Sequence, residues 1–151
     1  MTISLLKLRA AGFERSAAWI LDEGEKFDVT GSLSKHPGVY LFVVGRKVCY
    51  VGKADSSLHK RINRYRLTMR KGDRPRPVHK GIESELRSGG AVHIYTLPMA
   101  VREPRYRKGL PYDELTGLEA GLIETLNPKW NPFNLKGREK RMRLFVSVPK
   151  R

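Results

Sequence analysis

The chain has a single cysteine, Cys49, among 151 residues. That excludes an internal disulfide framework, and its place between Val48 and Tyr50 reads as a small core residue rather than a reactive thiol. Zinc-site spacing is also lacking, although His36, His59, His79 and His93 are present. No apolar run approaches the about 18 residues that a membrane-spanning helix requires. The start, Met1 to Arg9, lacks the charged opening, long apolar centre and small-residue cleavage site of a signal peptide. Together these absences lead us to expect a cytoplasmic or nucleoid-associated protein with no membrane partner. Repeats and low-complexity tracts are missing as well. With 40% hydrophobic and 30% charged residues, a folded domain with a real core is expected, not a disordered chain.

Acidic residues are scarce. Fifteen Asp and Glu face 30 Lys and Arg, for a net charge of +15 and a pI near 10.3. Such a field repels itself and calls for an anionic partner, of which nucleic acid is the first candidate. Residues 1–34 carry four basic and five acidic side chains, and the rest carries +16. The partner surface is therefore expected beyond residue 34. By this division residues 1–34 form an N-terminal extension, helical and packed on the core, and residues 35–151 form the main domain with a basic C-terminal segment.

Residues 1–10 read as either a short strand or a helix. Ala17, Ile20 and Leu21 lie at helical spacing and predict a helix over Phe13–Glu23, followed by loop from Gly24 to Ser34. His36-Pro37-Gly38 opens a β-hairpin, with strands over Val39–Val44 and Lys47–Val51 about Gly45-Arg46. Ser56 or Ser57 can cap a helix to about Arg70, whose stripe is Leu58, Ile62, Tyr65 and Met69. Arg74 to Pro77 reads as extended, Val78–Arg87 as helix, Ala91–Leu97 as strand, and Pro98–Pro111 as a basic loop. Asp113–Leu126 is a helix that stops before Pro128, and Leu144–Val148 reads as a last strand. The order is β-β-α-α-β-α within an α/β domain.

Several polar residues stand out. Leu115, Glu119, Leu122 and Leu126 share one helical stripe, so Glu119 lies on the face expected to be buried. A carboxylate there needs a salt-bridge partner, a metal ion or a catalytic task. Arg61 and Tyr65 are four apart and project to one side of their helix. Tyr40 and Tyr50 fall on opposite faces of the hairpin if the turn has two residues, Gly45-Arg46, so that 44 pairs with 47. They share a face, with Gly52 opposite Tyr40, if the turn is longer or bulged.

Gly38-Val39-Tyr40 followed by Tyr50-Val51-Gly52-Lys53-Ala54 resembles the paired signature of the GIY-YIG nuclease family, with valines where the family has isoleucines. Leu58-x-x-Arg61-Ile62-x-x-Tyr65 is similar to the family's helix with its essential Arg. Glu119-x-x-Leu122-Ile123, with Pro128 and Asn131, resembles its metal-binding helix and the Asn that follows. The resemblance runs from Gly38 to Asn131. The interval from Gly52 to Arg61 is one residue longer than in the repair-nuclease branch.

The resemblance implies an α/β (α+β) fold: a small, mainly antiparallel sheet with flanking helices. It implies a metal-dependent endonuclease of the restriction, repair or structure-specific type, acting on double-stranded or branched DNA. Mg²⁺ (or Mn²⁺) would be held by Glu119, with waters and phosphate oxygens completing its shell. Arg61 would clamp the scissile phosphate. Tyr40 or Tyr50 would orient and deprotonate the attacking water, helped toward phenolate by Lys53 and the metal. Tyr65 would hydrogen-bond the phosphate or the water. Asn131 would support the site, and Gly38 and Gly52 would let the backbone approach closely. A palindromic target would call for a homodimer.

The remaining basic residues offer phosphate contacts: Lys60, Arg64, Arg66, Arg70, Lys71, Arg74, Arg76 and Lys80, then Arg105, Arg107 and Lys108, with Lys136 to Arg143 beyond. Two other readings compete. The same fold can hold DNA or RNA without cutting it. A basic RNA- or ribosome-associated protein with an accidental motif would show neither metal dependence nor clustering of Tyr40, Tyr50, Arg61 and Glu119.

Overall fold

The structure is a computed structural model that describes residues 3–72, 76–99 and 104–132. Its elements, in chain order, are α1 (Leu5–Ala10), β1 (Glu14–Leu21), β2 (Phe27–Gly31), β3 (Gly38–Val44), β4 (Lys47–Ala54), α2 (Leu58–Lys71), α3 (Pro77–Arg87), β5 (Val92–Pro98), β6 (Arg105–Arg107), β7 (Leu110–Tyr112) and α4 (Glu114–Leu126). Five strands form one antiparallel sheet in the order β2-β1-β5-β3-β4. The mainly antiparallel α+β architecture expected from the sequence is therefore present.

β3 shows how the layers form. Its side chains alternate between two faces. Val39, Leu41 and Val43 pack with Leu8 of α1 and with Leu115 and Leu122 of α4. Tyr40 and Phe42 pack on the other face with Leu58, Ile62, Tyr65 and Met69 of α2 and with Val78 and Ile82 of α3. Helices thus cover both faces, so β3 reads as an unbroken apolar run rather than an alternating one.

The β3–β4 hairpin resolves the question of register. The turn has two residues, and Val44 pairs with Lys47. Val43 then pairs with Val48 but Phe42 with Tyr50, so Cys49 is an extra residue in a β-bulge. The bulge puts Cys49 and Tyr50 on the same face, and it brings Tyr50 beside Tyr40. Buried Cys49 is a core residue, as expected.

Local signals set the helix ends. The Ser57 hydroxyl accepts from the Lys60 amide at the start of α2, and Gly72 ends that helix with a left-handed φ of 67°. Asp113 caps α4 through the Leu115 amide, and Asn127 closes it in a left-handed conformation.

Three expectations are corrected. Phe13–Glu23 is not a helix: Glu14–Leu21 is strand β1, paired on both sides. Ala17 and Trp19 are buried at a spacing of two while Ile20 faces outward, so the apparent helical spacing joined residues from opposite faces. Phe27–Gly31, expected in a loop, is β2. The basic loop before α4 contains the β6–β7 hairpin, turned at Lys108-Gly109 with positive φ at both. Within the ambiguous first ten residues, Leu5–Ala10 form the short helix α1. The expected last strand at Leu144–Val148, the basic run Lys136 to Arg143, and Arg74 lie outside the described residues.

Candidate active site

Three tyrosines from three elements meet under the sheet. The Tyr40 hydroxyl of β3 donates to the Tyr65 hydroxyl of α2 at 3.1 Å, and the hydroxyls of Tyr65 and Tyr50 lie 2.7 Å apart. Arg61, one turn before Tyr65, donates through Nε to the Tyr40 oxygen at 3.4 Å. Its guanidinium carbon stands 5.3 Å from the centre of the Tyr65 ring. Burial, then the neighbouring hydroxyls of Tyr65 and Tyr50, push the Tyr40 phenol well above its ordinary value. Burial and Tyr65 do the same to Tyr50, against the opposing charges of Arg76 and Arg61. For Arg61 burial works downward, but the tyrosine oxygens outweigh it and the net shift is upward. The guanidinium is fixed as a cation.

Beside this cluster lies a cleft of about 280 Å³. Tyr40, Tyr50, Gly52, Lys53, Arg61 and Glu119 line it, with Lys60 and Arg64 at its basic side. Glu119 comes from α4, on the opposite face of the sheet from α2. It reaches the cleft because β4 is the edge strand, so α4 can pack across its end. Glu119 makes no salt bridge among the described residues, so the structural ion-pair reading is not realised there. Burial raises its carboxyl pKa and Asp55 adds to the shift. Lys53, Arg61 and a hydrogen bond from the Lys53 backbone oppose it.

Two clamps hold α4 on β4. Lys53 Nζ donates to Thr116 Oγ1 at 2.9 Å, and Thr116 donates to Asp113 at the helix start. Past the other end, buried Asn131 binds Val51 twice: its Oδ1 accepts from the Val51 amide at 3.0 Å and its Nδ2 donates to the Val51 carbonyl at 2.9 Å. Asn131 thus mimics a strand along the open edge of β4. The Trp130 amide continues that edge by donating to the Cys49 carbonyl at 2.9 Å. Lys53 also pairs with Asp55 at 3.3 Å, so the cation touching the tyrosine cluster is Arg61.

Both signature glycines answer to packing. Gly52 lies across from Tyr40, whose ring fills the place a Cβ would take. At Gly38 a Cβ would meet the Leu97 carbonyl and Leu58. Sequence reading did not single out Asp55, Ser56, Ser57 as cleft walls, Thr116 as a clamp, or Trp130, whose indole lies against Gly81 of α3. Ser56 and Ser57 carried a local signal as alternative helix caps, and the cap is Ser57.

The basic candidates separate by their partners. Arg70 donates to the Phe27 carbonyl at 2.7 Å and pairs with Asp22 and Asp28, so it ties α2 to the β1–β2 hairpin. Arg66 bonds Asn63, and Arg105 pairs with Glu114. Arg107 and Lys108 are exposed on the β6–β7 hairpin, and Lys71 and Lys80 are exposed on the helices. Arg64 and Arg76 have no carboxylate partner among the described residues.

No family model matches this chain, and no curated protein sequence does. Solved structures do. A mutant of EndoII from bacteriophage T4 is similar with a TM-score of 0.69 at 21% identity, over 84% of this chain and 98% of that one. Restriction endonuclease HPY188I, in complex with product DNA, is similar with a TM-score of 0.50 at 14% identity, over 96% of this chain and 80% of that one. At these identities the likeness is one of fold.

Proposed function

We propose that this protein is a metal-dependent endonuclease of the GIY-YIG type that hydrolyses phosphodiester bonds in DNA. Tyr40, Tyr50, Arg61 and Glu119 arrive at one cleft from four elements, and that convergence carries the reading. A half-buried carboxylate without an ion-pair partner costs stability unless a cation joins it. The fold shared with a restriction endonuclease solved on product DNA supports DNA as the substrate. A cytoplasmic, nucleoid-associated place and, for a palindromic target, a homodimer go with this reading.

The donors suit a hard divalent ion. No His or Cys lines the cleft, and no cluster of three or more ligand side chains gathers among the described residues. One carboxylate, with water and phosphate oxygens, is a usual protein share for Mg²⁺, and Mn²⁺ accepts the same donors. Glu119 would hold the ion, which when bound would stabilise charge on the phosphate and the leaving oxygen.

The protein's own groups do the rest. Arg61 clamps the scissile phosphate, held in place by its bond to Tyr40. The Tyr40 proton is committed to Tyr65, so the Tyr40 oxygen is left to accept from Arg61 and from a water in the cleft. Tyr50 shares that network through Tyr65. Because burial keeps both phenols protonated, either one would act as a base only after giving up its own proton, a phenolate that a nearby cation would favour. Burial disfavours the ionised form of Glu119, and Lys53 and Arg61 favour it.

The test is supercoiled plasmid incubated with Mg²⁺ or EDTA, beside Glu119→Ala. Nicking or linearisation should need both Mg²⁺ and Glu119. Salt-sensitive binding without cutting, retained by the variant, would instead mark a non-cleaving module.

A further inference from the structure

A second cavity, of about 140 Å³, opens on the other side of Arg61. Its walls are Arg61, Arg64, Tyr65, Thr68, Arg76 and His79. Arg61 and Arg64 line both cavities, and Tyr65 lines the second.

Arg70, Arg87 and Arg105 each meet a carboxylate. Arg61, Arg64 and Arg76 converge on one small space that no acidic residue lines, and none has a carboxylate partner among the described residues. Three cationic side chains around one space repel one another, and an anion between them relieves that repulsion. The field of Arg76 reaches the Tyr50 hydroxyl, which ties this cavity to the first. The neighbours help to fix the geometry. Thr68 Oγ1 is spent on the Arg64 carbonyl, and His79 Nδ1 accepts from the Arg76 amide at 3.4 Å.

We propose that this cavity is a second phosphate subsite, which takes the phosphate group next to the scissile one on the same strand, with Arg64 and Arg76 as its clamps and Arg61 shared between the two. The ligand being a nucleic-acid strand rests on the nuclease reading; the demand for a second oxyanion rests on the three arginines. Two adjacent phosphates would set which way the strand runs through the cleft. Arg64 and Arg76 are then positioning residues.

The test reads binding in EDTA, so it does not depend on cutting. Three probes are titrated into the nitrogen-labelled chain while the arginine Nε–H signals are followed: dTpdT with one phosphodiester, dTpdTpdT with two, and pdTpdT with one plus a terminal phosphate. The second phosphate should tighten binding about tenfold. A gain with dTpdTpdT assigns the subsite to an internal phosphodiester, and a gain with pdTpdT alone to a strand terminus. Arg76→Ala and Arg76→Gln, the latter keeping much of the stem, should each abolish the gain, and Arg76→Lys should restore part of it. Equal binding of all three probes, or a gain that survives both neutral variants, overturns the subsite. The Glu119-dependent plasmid assay reports separately on the nuclease reading.

Discussion

Tyr40 on β3 lies directly across from Gly52 on β4, and its ring occupies the space a Cβ on Gly52 would need. The pair explains why a strand can carry a glycine inside a buried sheet, where it costs entropy and leaves nothing to pack. Gly52→Ala should force the Tyr40 ring out of place. We expect a loss of about 1–3 kcal/mol in urea unfolding from overpacking. Cleavage should fall further than stability does, because Tyr40 also holds Arg61. A variant with native stability and native cutting would show that the ring has room to move.

Asn131 closes the open edge of β4 with two hydrogen bonds to Val51. Asn131→Ala leaves a buried amide and a buried carbonyl without partners, at a cost of about 2–4 kcal/mol. Hydrogen exchange at the Val51 amide should speed up by more than at β5, in the middle of the sheet. Uniform acceleration of both would mean the whole fold had loosened instead of the edge.

Arg70 and Arg64 sit on the same helix but should behave differently. Arg70→Ala breaks contacts with Phe27, Asp22 and Asp28, and should cost about 1–2 kcal/mol of stability. Its effect on the salt dependence of DNA binding should be small. Arg64→Ala should not lower the melting temperature, and should reduce the slope of log affinity against log salt by about 1. Anisotropy titrations at several salt concentrations, beside thermal melts, separate the two. Exchanged outcomes would reverse the assignment of partners.

The cleft was legible because its residues sit on local signals: the strand punctuation at Gly38 and Gly52, the helical stripes of α2 and α4, and the cap at Ser56 or Ser57. Parity reasoning tied a shared tyrosine face to a longer or bulged turn; the turn has two residues, and a bulge at Cys49 within β4 supplies the shared face instead. What stayed hidden was non-local. Strand β1 is defined by its partners β2 and β5, and its few apolar residues mimicked a helix. Whether a basic residue is spent internally, as Arg70 is, depends on an acid 48 positions away. The second arginine cavity needs α2 and α3 to be packed side by side before it exists.

The tyrosine cluster should make the protein alkali-sensitive. Burial raises both Tyr40 and Tyr50 above the ordinary value, so the folded state keeps protons that the unfolded chain gives up. A raised value contributes stability below the unfolded pKa, which is lost as pH climbs toward the folded one. Stability should therefore decline above about pH 10, by roughly 1.4 kcal/mol per pH unit for each phenol involved. Tyrosinate absorbance from these two should appear only with unfolding. Tyr40→Phe and Tyr50→Phe should each flatten the decline. Free titration of both phenols in the folded protein would contradict the buried hydroxyl network.

Glu119 sets function against stability. Burial raises its carboxyl pKa, and Lys53 and Arg61 offset only part of that. A carboxyl raised in the folded state is most stabilising when protonated, and that contribution is lost as pH rises through the folded value. Once ionised, the group is thus a liability without a cation. Glu119→Gln removes the charge and nearly preserves the shape, so in EDTA it should melt no lower than the parent chain. Added Mg²⁺ should raise the melting temperature of the parent, because an ion that binds only the folded state stabilises it, and should leave the variant unmoved. The order of the two melting temperatures should then reverse, with cleavage confined to the parent. A variant that melts well below the parent in EDTA would mean that Glu119 is held by partners of its own. The carboxylate would then be a structural group, and its assignment to a metal ion would lose its physical basis.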